Sequence, residues 1–198
     1  MRWRARTIVQ LYCALRASRP QLKRDPLGGR VVDIGSLAPH TLEAGMGLFS
    51  KKKPSLPETL PLGSWAMVQG SNQGSLLLAR VRKGLGSVVG HVAYSFRVGV
   101  ATRVRATAAN GMPTAEENAI LQELEGRLSH ALEVDREAVF VVALTTNGVK
   151  EWVFYTSDPE ATKRRMQAFA PSVESHRLQM VVAEDKEWAV YRQLAERG

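Results

Sequence analysis

AVFVVALTTNGVKEWVFYT, residues 138–156, gives the strongest indication of the fold. It holds two runs of β-branched and aromatic residues on either side of the dipeptide Asn147-Gly148. An Asn-Gly pair between such runs indicates a tight β-hairpin, because both turn positions need a positive φ that these residues tolerate. The first run is apolar on both faces, which predicts a strand covered on both sides. We therefore predict strands over Ala138–Thr145 and Val149–Thr156.

Two helices are predicted to flank this hairpin. Thr114-Ala115-Glu116-Glu117 is a capping-box pattern, in which the Thr hydroxyl accepts a hydrogen bond from the third amide and Glu117 reaches back to the cap. Apolar residues then recur every three or four positions, which predicts a helix over Thr114–Glu133. Asp158 followed by Pro159 is typical of a helix start, so a second helix is predicted over Pro159–Ala170.

Two further segments alternate between apolar and polar or small residues. The longer one, Val92–Ala106, predicts a strand with one buried face and a bulge or bend near Gly99. The other predicts a strand over His176–Ala183. The resulting order βαββαβ is that of the ferredoxin-like folds. The predicted fold class is therefore α+β, an antiparallel sheet of these four strands with both helices on one face.

An extra N-terminal hairpin and a short C-terminal helix complete the predicted domain. Trp65–Gln69 and Ser75–Arg82 are the two arms of the hairpin, and Glu187–Glu196 is the helix. Five aromatic residues, three in the strand Val149–Thr156 and two in the C-terminal helix, either line a ligand cage or pack in the core. Core packing is the ordinary interpretation. These residues are Trp152, Phe154, Tyr155, Trp188 and Tyr191.

Charge is distributed unevenly along the chain. Residues 1–53 carry eleven Lys and Arg and three acidic residues, which accounts for the whole formal charge of +8, and the remainder is neutral. We expect residues 1–61 to be a basic, disordered tail with a Pro-rich linker, outside a single domain at residues 62–198. Met46 is an alternative start of the protein. Cys13 is the only cysteine, so an intramolecular disulfide is excluded, and we expect a cytoplasmic protein.

Catalytic patterns are sparse. The three His residues of the domain (His91, His130 and His176) stand alone, and Gly84–Gly90 has the wrong spacing for a dinucleotide-binding loop. We therefore predict a domain that is not an enzyme and that needs no cofactor or metal. The alternative is a hydrolase acting on a nucleic acid or phosphoester. It would require several acid, His or Lys groups in one cleft, for example Glu123 and Glu151 with a His.

A basic stripe is the best candidate binding site in the sequence. In the ferredoxin-like strand order 4-1-3-2, the first and last strands are neighbours, so four arginines fall on the sheet face opposite the helices. They are Arg97, Arg103, Arg105 and Arg177. An open face with this charge predicts a macromolecular partner, either an acidic protein or RNA. RNA-binding sheets also stack bases on aromatic residues, and this stripe has none.

Three motifs carry a resemblance to a known family. ANGMPTAEE (residues 109–117), EWVFYTSDP (151–159) and EDKEWAVY (184–191) resemble the bacterial domain-of-unknown-function family numbered six-nine-five, over about Leu62–Leu194. That family is further similar to the regulator of ribonuclease E activity, type B, an acidic inhibitor of a ribonuclease. The resemblance implies a regulatory or binding domain and no catalytic residues. This domain is neutral where that inhibitor is acidic.

Overall fold

The computed structural model describes residues 30–33, 55–57, 60, 63–72 and 74–196. Its strands are β1 (Arg30–Asp33), β2 (Trp65–Asn72), β3 (Ser75–Arg82), β4 (Phe96–Arg103), β5 (Ala138–Thr146), β6 (Val149–Thr156) and β7 (Gln179–Glu184). Its helices are α1 (Ala115–Leu132), α2 (Pro159–Phe169) and α3 (Ala189–Ala195). In this part of the chain, no helix is both long and apolar enough to span a membrane.

The strands form one open antiparallel sheet with α helices packed against it. Six of them lie in the order β7-β4-β6-β5-β3-β2, and β1 pairs with β7 at the far edge. The extra hairpin β2–β3 therefore widens the sheet beside β5 and does not cover a face. The strands predicted first and last in the core, β4 and β7, are hydrogen-bonded neighbours.

Residues before the predicted boundary at residue 61 contact the rest of the structure at three points. Arg30–Asp33 supplies the edge strand β1. Leu56 and Leu60 pack against the core, and the guanidinium of Arg136 donates to the carbonyl of Pro57 at 3.0 Å. Ser55 is exposed, and the remaining residues of the predicted tail, including Cys13 and Met46, lie outside the described residues.

Most predicted elements agree with the structure to within one to three residues. The clearest difference is β4, which begins at Phe96 and not at Val92, because the preceding residues turn back and the Tyr94 amide bonds the carbonyl of His91. The predicted irregularity at Gly99 is also wrong, since β4 pairs in unbroken register with both neighbours. The register shift lies in β5, between Phe140 and Val142.

Apolar residues cover both faces of the sheet. One face packs on α1 and α2 through a cluster that includes Val98, Leu121, Leu128, Trp152, Phe154 and Met166. The other face packs on α3 and on the loop of residues 83–95, through a cluster that includes Leu77, Leu85, Val88, Val153, Tyr155 and Trp188. The face predicted to be open is therefore covered over much of its area. The most exposed part of the helix-side face is on β2, at Trp65 and Met67, whereas Arg80 of β3 is bonded to Glu125 of α1.

Candidate functional site

The four arginines of the predicted stripe do not share one surface. Arg97 is only 3% exposed and lies opposite Tyr155 in the β4–β6 register, so its guanidinium is in the interior. Arg103, Arg105 and Arg177 are exposed at the end of β4. Arg105 donates to the carbonyl of Ser175 at 2.7 Å, which holds the segment after β4 against the segment before β7. The stripe is thus reduced to three arginines at one corner of the sheet.

The aromatic residues around Arg97 belong to the core. The rings of Trp188 and Tyr155 stack with centroids 3.9 Å apart, and the Trp188 indole donates to the carbonyl of Tyr94 at 2.8 Å. Asp185 accepts from the hydroxyl of Tyr155 at 2.7 Å and from the amide of Ala189 at 2.9 Å. Burial and the Asp185 carboxylate raise the pKa of Tyr155. The third motif therefore docks α3 on the sheet, and these residues form no ligand cage.

A buried acid lies on this same face. Glu151 is 3% exposed, and its desolvation raises its pKa to about 7 against the opposing effect of the Arg97 charge. It is in one cross-strand row with Ala101 and Gln179, whose Oε1 atom is buried without a hydrogen-bond partner in the described part of the chain. Glu123 is exposed on α1, on the other side of the sheet. The two carboxylates named for a hydrolase cleft therefore do not meet.

A second buried acid joins three segments of the chain. Glu117 Oε1 lies 2.9 Å from Nε2 of His176 and accepts from the amide of Arg105 at 2.7 Å. Burial alone would raise the pKa of Glu117, but the Arg105 amide and His176 together lower it. The Thr114 cap is as predicted, since its hydroxyl accepts from the Glu117 amide. The expected return bond from Glu117 to the cap is replaced by these two partners, which makes the pair a structural tie.

A concave site lies beside strand β2, on the helix-side face of the sheet. It is a cleft of about 340 Å³ between strands β2, β3, β5 and β6 on one side and α1 with its preceding turn on the other. We call it the β3–α1 cleft. Its lining residues are Met67, Leu78, Ala79, Arg80, Met112, Pro113, Asn118, Gln122, Ala143, Thr145 and Lys150.

Two cations of the cleft share one carboxylate. Arg80 Nη2 donates to Oε1 of Glu125, and Lys150 Nζ lies 3.6 Å from Oε2. That same oxygen accepts from the indole nitrogen of Trp152 at 2.8 Å. Burial lowers the pKa of Lys150, and Glu125 offsets part of this effect. The local balance is one positive charge in excess, beside an ammonium group that is poorly solvated.

Apolar side chains form the outer wall of the cleft. Met67 is 62% exposed and Trp65 is 39% exposed, both on β2. The Trp65 ring packs against Phe140 with centroids 5.0 Å apart, and the guanidinium of Arg80 lies 5.3 Å from its centre. Met112 and Pro113 face them from the turn before α1. The cleft therefore combines one positive charge in excess with the thioether surface of Met67 and Met112, and the ring of Trp65 lies beside Arg80.

Sequence reasoning did not find this site. Arg80 and Glu125 are 45 residues apart, and neither belongs to a recognisable catalytic or binding motif. The available signal was Lys150, a charged residue one position after the Asn147-Gly148-Val149 turn in a strand that is otherwise almost wholly buried. Across the described ranges, no group of three or more His, Cys, Asp or Glu residues could hold a metal ion.

Comparison with protein families gives one match. The model of DUF695, a family of unknown function, covers residues 63–195. The chain belongs to this family. In this DUF695 domain the first motif, residues 109–117, supplies the turn at the mouth of the β3–α1 cleft and the start of α1. Searches of curated proteins and of solved structures returned no match. The further similarity to the regulator of ribonuclease E stays a prediction.

Proposed function

We propose that this DUF695 domain is a non-catalytic binding domain that holds a negatively charged segment of a protein partner in the β3–α1 cleft. Its scaffold is a ferredoxin-like core with an added hairpin. Support for the scaffold comes from the order β7-β4-β6-β5, which is the 4-1-3-2 order of a βαββαβ chain. The added strands β3 and β2 create the floor of the cleft beyond α1.

The observation that carries this proposal is the charge of the cleft. Arg80 and Lys150 compete for the single carboxylate of Glu125. A ligand carboxylate would give each cation its own partner, and charge-assisted hydrogen bonds of this kind are among the stronger ones in proteins. It would also relieve the desolvation of Lys150, whose lowered pKa reflects a cost to the charged form.

The apolar wall of the cleft favours a protein segment over RNA. Nucleic-acid binding depends on many phosphate contacts, each supplied by a cation, and this cleft has one positive charge in excess. Met67 and Trp65 instead offer contact area to apolar side chains. A segment with alternating acidic and apolar residues matches both features of the site. An RNA site on the predicted arginine stripe would also lack Arg97, because this residue is buried and cannot contact a phosphate.

Fluorescence anisotropy with a defined probe tests the proposal. The probe is a labelled peptide of about eight residues that alternates Glu and Val, and the comparison peptide alternates Lys and Val. We expect the Glu–Val peptide to bind in low salt and the Lys–Val peptide to bind at least about tenfold more weakly. A labelled RNA oligonucleotide serves as the competing class of partner.

Two variants test whether the peptide binds in the cleft. Arg80→Met and Lys150→Met keep the side-chain bulk and remove one charge each. Each is expected to weaken the Glu–Val peptide about tenfold, which corresponds to about 1.4 kcal/mol. Arg164→Met, an exposed cation of α2 far from the cleft, is the matched control and should bind normally. Equal binding by all three variants, or a preference for RNA that they do not alter, would contradict the proposed function.

A further inference from the structure

Strand β2 is an edge strand without the usual protection. It ends the sheet beyond β3, and within the described residues nothing pairs with its outer side. Its eight residues, WAMVQGSN, include no charged residue and no proline. Natural edge strands are commonly shortened, charged, bulged or covered, because an unprotected edge is a template for another strand. This eight-residue neutral edge therefore offers a template on which another strand can pair.

The hydrogen-bonding pattern between β2 and β3 shows which backbone groups of β2 are available to bond another strand. The Lys83 amide donates to the Ser64 carbonyl at 2.7 Å, so these opposed residues form a hydrogen-bonded pair. Such pairs alternate with non-bonded pairs along an antiparallel ladder. Residues 66, 68, 70 and 72 therefore use their amides and carbonyls on β3. The amides and carbonyls of Trp65, Met67, Gln69 and Ser71 point away from it, towards the free edge.

The side chains of these four residues lie on the sheet face that carries the cleft, and Met67 lines the cleft itself. Met67 is opposite Arg80 in the register and lines the β3–α1 cleft with it. A strand added beyond β2 would lie about 4.8 Å from β2 and about twice that distance from β3. Glu and Arg side chains together can span the larger separation. An added strand with acidic residues on this face would thus direct its carboxylates towards the cleft.

We propose that the partner segment binds as an additional β-strand on β2, with its acidic side chains on the face of Met67 and its backbone bonded to Trp65, Met67, Gln69 and Ser71. This inference rests on the proposed function and specifies how the segment is held. Backbone pairing supplies affinity in such complexes, and pockets for alternate side chains supply specificity. A second copy of this chain is a poorer occupant, because the β2 sequence carries no carboxylate for the cleft.

The first test changes one backbone group of the edge. Gln69→Pro removes an amide that points away from β3, and proline is tolerated in edge strands at such positions. We expect Gln69→Pro to weaken the Glu–Val peptide at least tenfold. Gln69→Thr keeps the amide, and it should remain within about twofold of the parent protein. Normal binding by Gln69→Pro would overturn strand addition.

The second test leaves the protein unchanged, so it does not depend on the folding of a variant. Two Glu–Val peptides are N-methylated, one at the Glu amides and the other at the Val amides. Only alternate amides of an added strand face β2, so one peptide should lose binding at least tenfold and the other should keep it. Equal effects of the two methylation patterns would overturn the inference.

The outcomes also separate this inference from the proposed function. Loss of binding in Arg80→Met and Lys150→Met with normal binding in Gln69→Pro would leave the cleft as the site and remove strand addition. Normal binding in the cleft variants would remove the proposed function itself. Sedimentation of the parent protein and Gln69→Pro tests the rival occupant. A dimer that Gln69→Pro converts to a monomer without affecting the peptide would assign the edge to a second copy.

Discussion

The indole nitrogen of Trp152 donates a 2.8 Å hydrogen bond to Oε2 of Glu125, and this bond holds the carboxylate that Arg80 and Lys150 share. Trp152 is fully buried on the helix-side face of β6, so the position of the carboxylate is set by the core. In the binding mode that we propose, Glu125 therefore competes with the ligand carboxylate for these two cations. The resting cleft is partly neutralised by a group of its own helix.

Removing this internal anion should strengthen ligand binding. Glu125→Gln keeps an oxygen that can accept from Trp152 but leaves Arg80 and Lys150 without a competing charge. We expect the Glu–Val peptide to bind about three- to tenfold more tightly, measured by anisotropy in low salt. Glu123→Gln removes an exposed charge from the same helix and is the matched control. Weaker binding by Glu125→Gln would show that Glu125 does not occupy the ligand site.

Glu151 gives the domain a distinct pH dependence. Its pKa of about 7 in the folded state exceeds the ordinary value of 4.5, so the folded state binds more protons than the unfolded state between these values. Stability from this group therefore falls as pH rises from about 4.5 to 7, by at most about 3 kcal/mol. Arg97 is the charged group that opposes the shift. Glu151→Gln should flatten this fall in urea denaturation at pH 5 and pH 8.

The control for that experiment is again Glu123→Gln, which should reproduce the pH dependence of the parent protein. The assigned pKa would be contradicted if the free energy of unfolding changed between pH 5 and pH 8 by the same amount in the parent protein and in Glu151→Gln. For each protein, the free energy of unfolding at pH 8 is subtracted from that at pH 5. This difference is compared because the substitution itself also changes stability at every pH.

The Glu117–His176 pair should contribute to stability and not to binding. The pKa of Glu117 is lowered in the folded state, so its contribution is present above the unfolded pKa and is lost as pH falls through the folded value. Glu117→Gln leaves buried groups imperfectly paired and should cost about 1–3 kcal/mol at neutral pH. Glu116→Gln, at the adjacent exposed position, should change stability by no more than about 0.5 kcal/mol. Similar losses of stability in both variants would show that the contacts of Glu117 with His176 and Arg105 do not stabilise the fold.

Arg97 should behave as a core residue. It is buried, and its charge favours the ionised form of Glu151, so Arg97→Ser would remove that opposing effect. We expect a loss of stability of more than about 1 kcal/mol at pH 8, where Glu151 is ionised, and a smaller loss at pH 5. Arg164→Ser, at an exposed position of α2, is the comparison. If Arg97→Ser were as stable as the parent protein, Arg97 would be an exposed residue of the arginine stripe and not a core residue.

The parts of the fold that local chemistry controls were predictable from the sequence. Asn147 and Gly148 adopt φ of 52° and 68°, as a tight hairpin turn needs, and β6 has the predicted bounds. Asp158 caps α2 through the amides of Glu160 and Ala161. Each of these features depends on residues within a few positions of one another, so single-sequence patterns are sufficient to predict them.

The site depended on contacts that no local pattern contains. The alternation in β4 predicted correctly that Arg97 lies opposite the helix face, but it could not show that α3 and residues 83–95 cover much of that face. The β3–α1 cleft exists because the extra hairpin pairs with β5 and brings Arg80 to Glu125. That pairing was open in the sequence, where the hairpin could equally have covered a face of the sheet.

Residue-resolved hydrogen exchange reports directly on strand addition at β2. Amide exchange of β2 is measured by NMR with and without the Glu–Val peptide. We predict slower exchange at Met67, Gln69 and Ser71, whose amides point to the free edge, and little change at Ala66, Val68 and Gly70, whose amides are already bonded to β3. An unchanged β2, or slowing that does not alternate along the strand, would contradict the account.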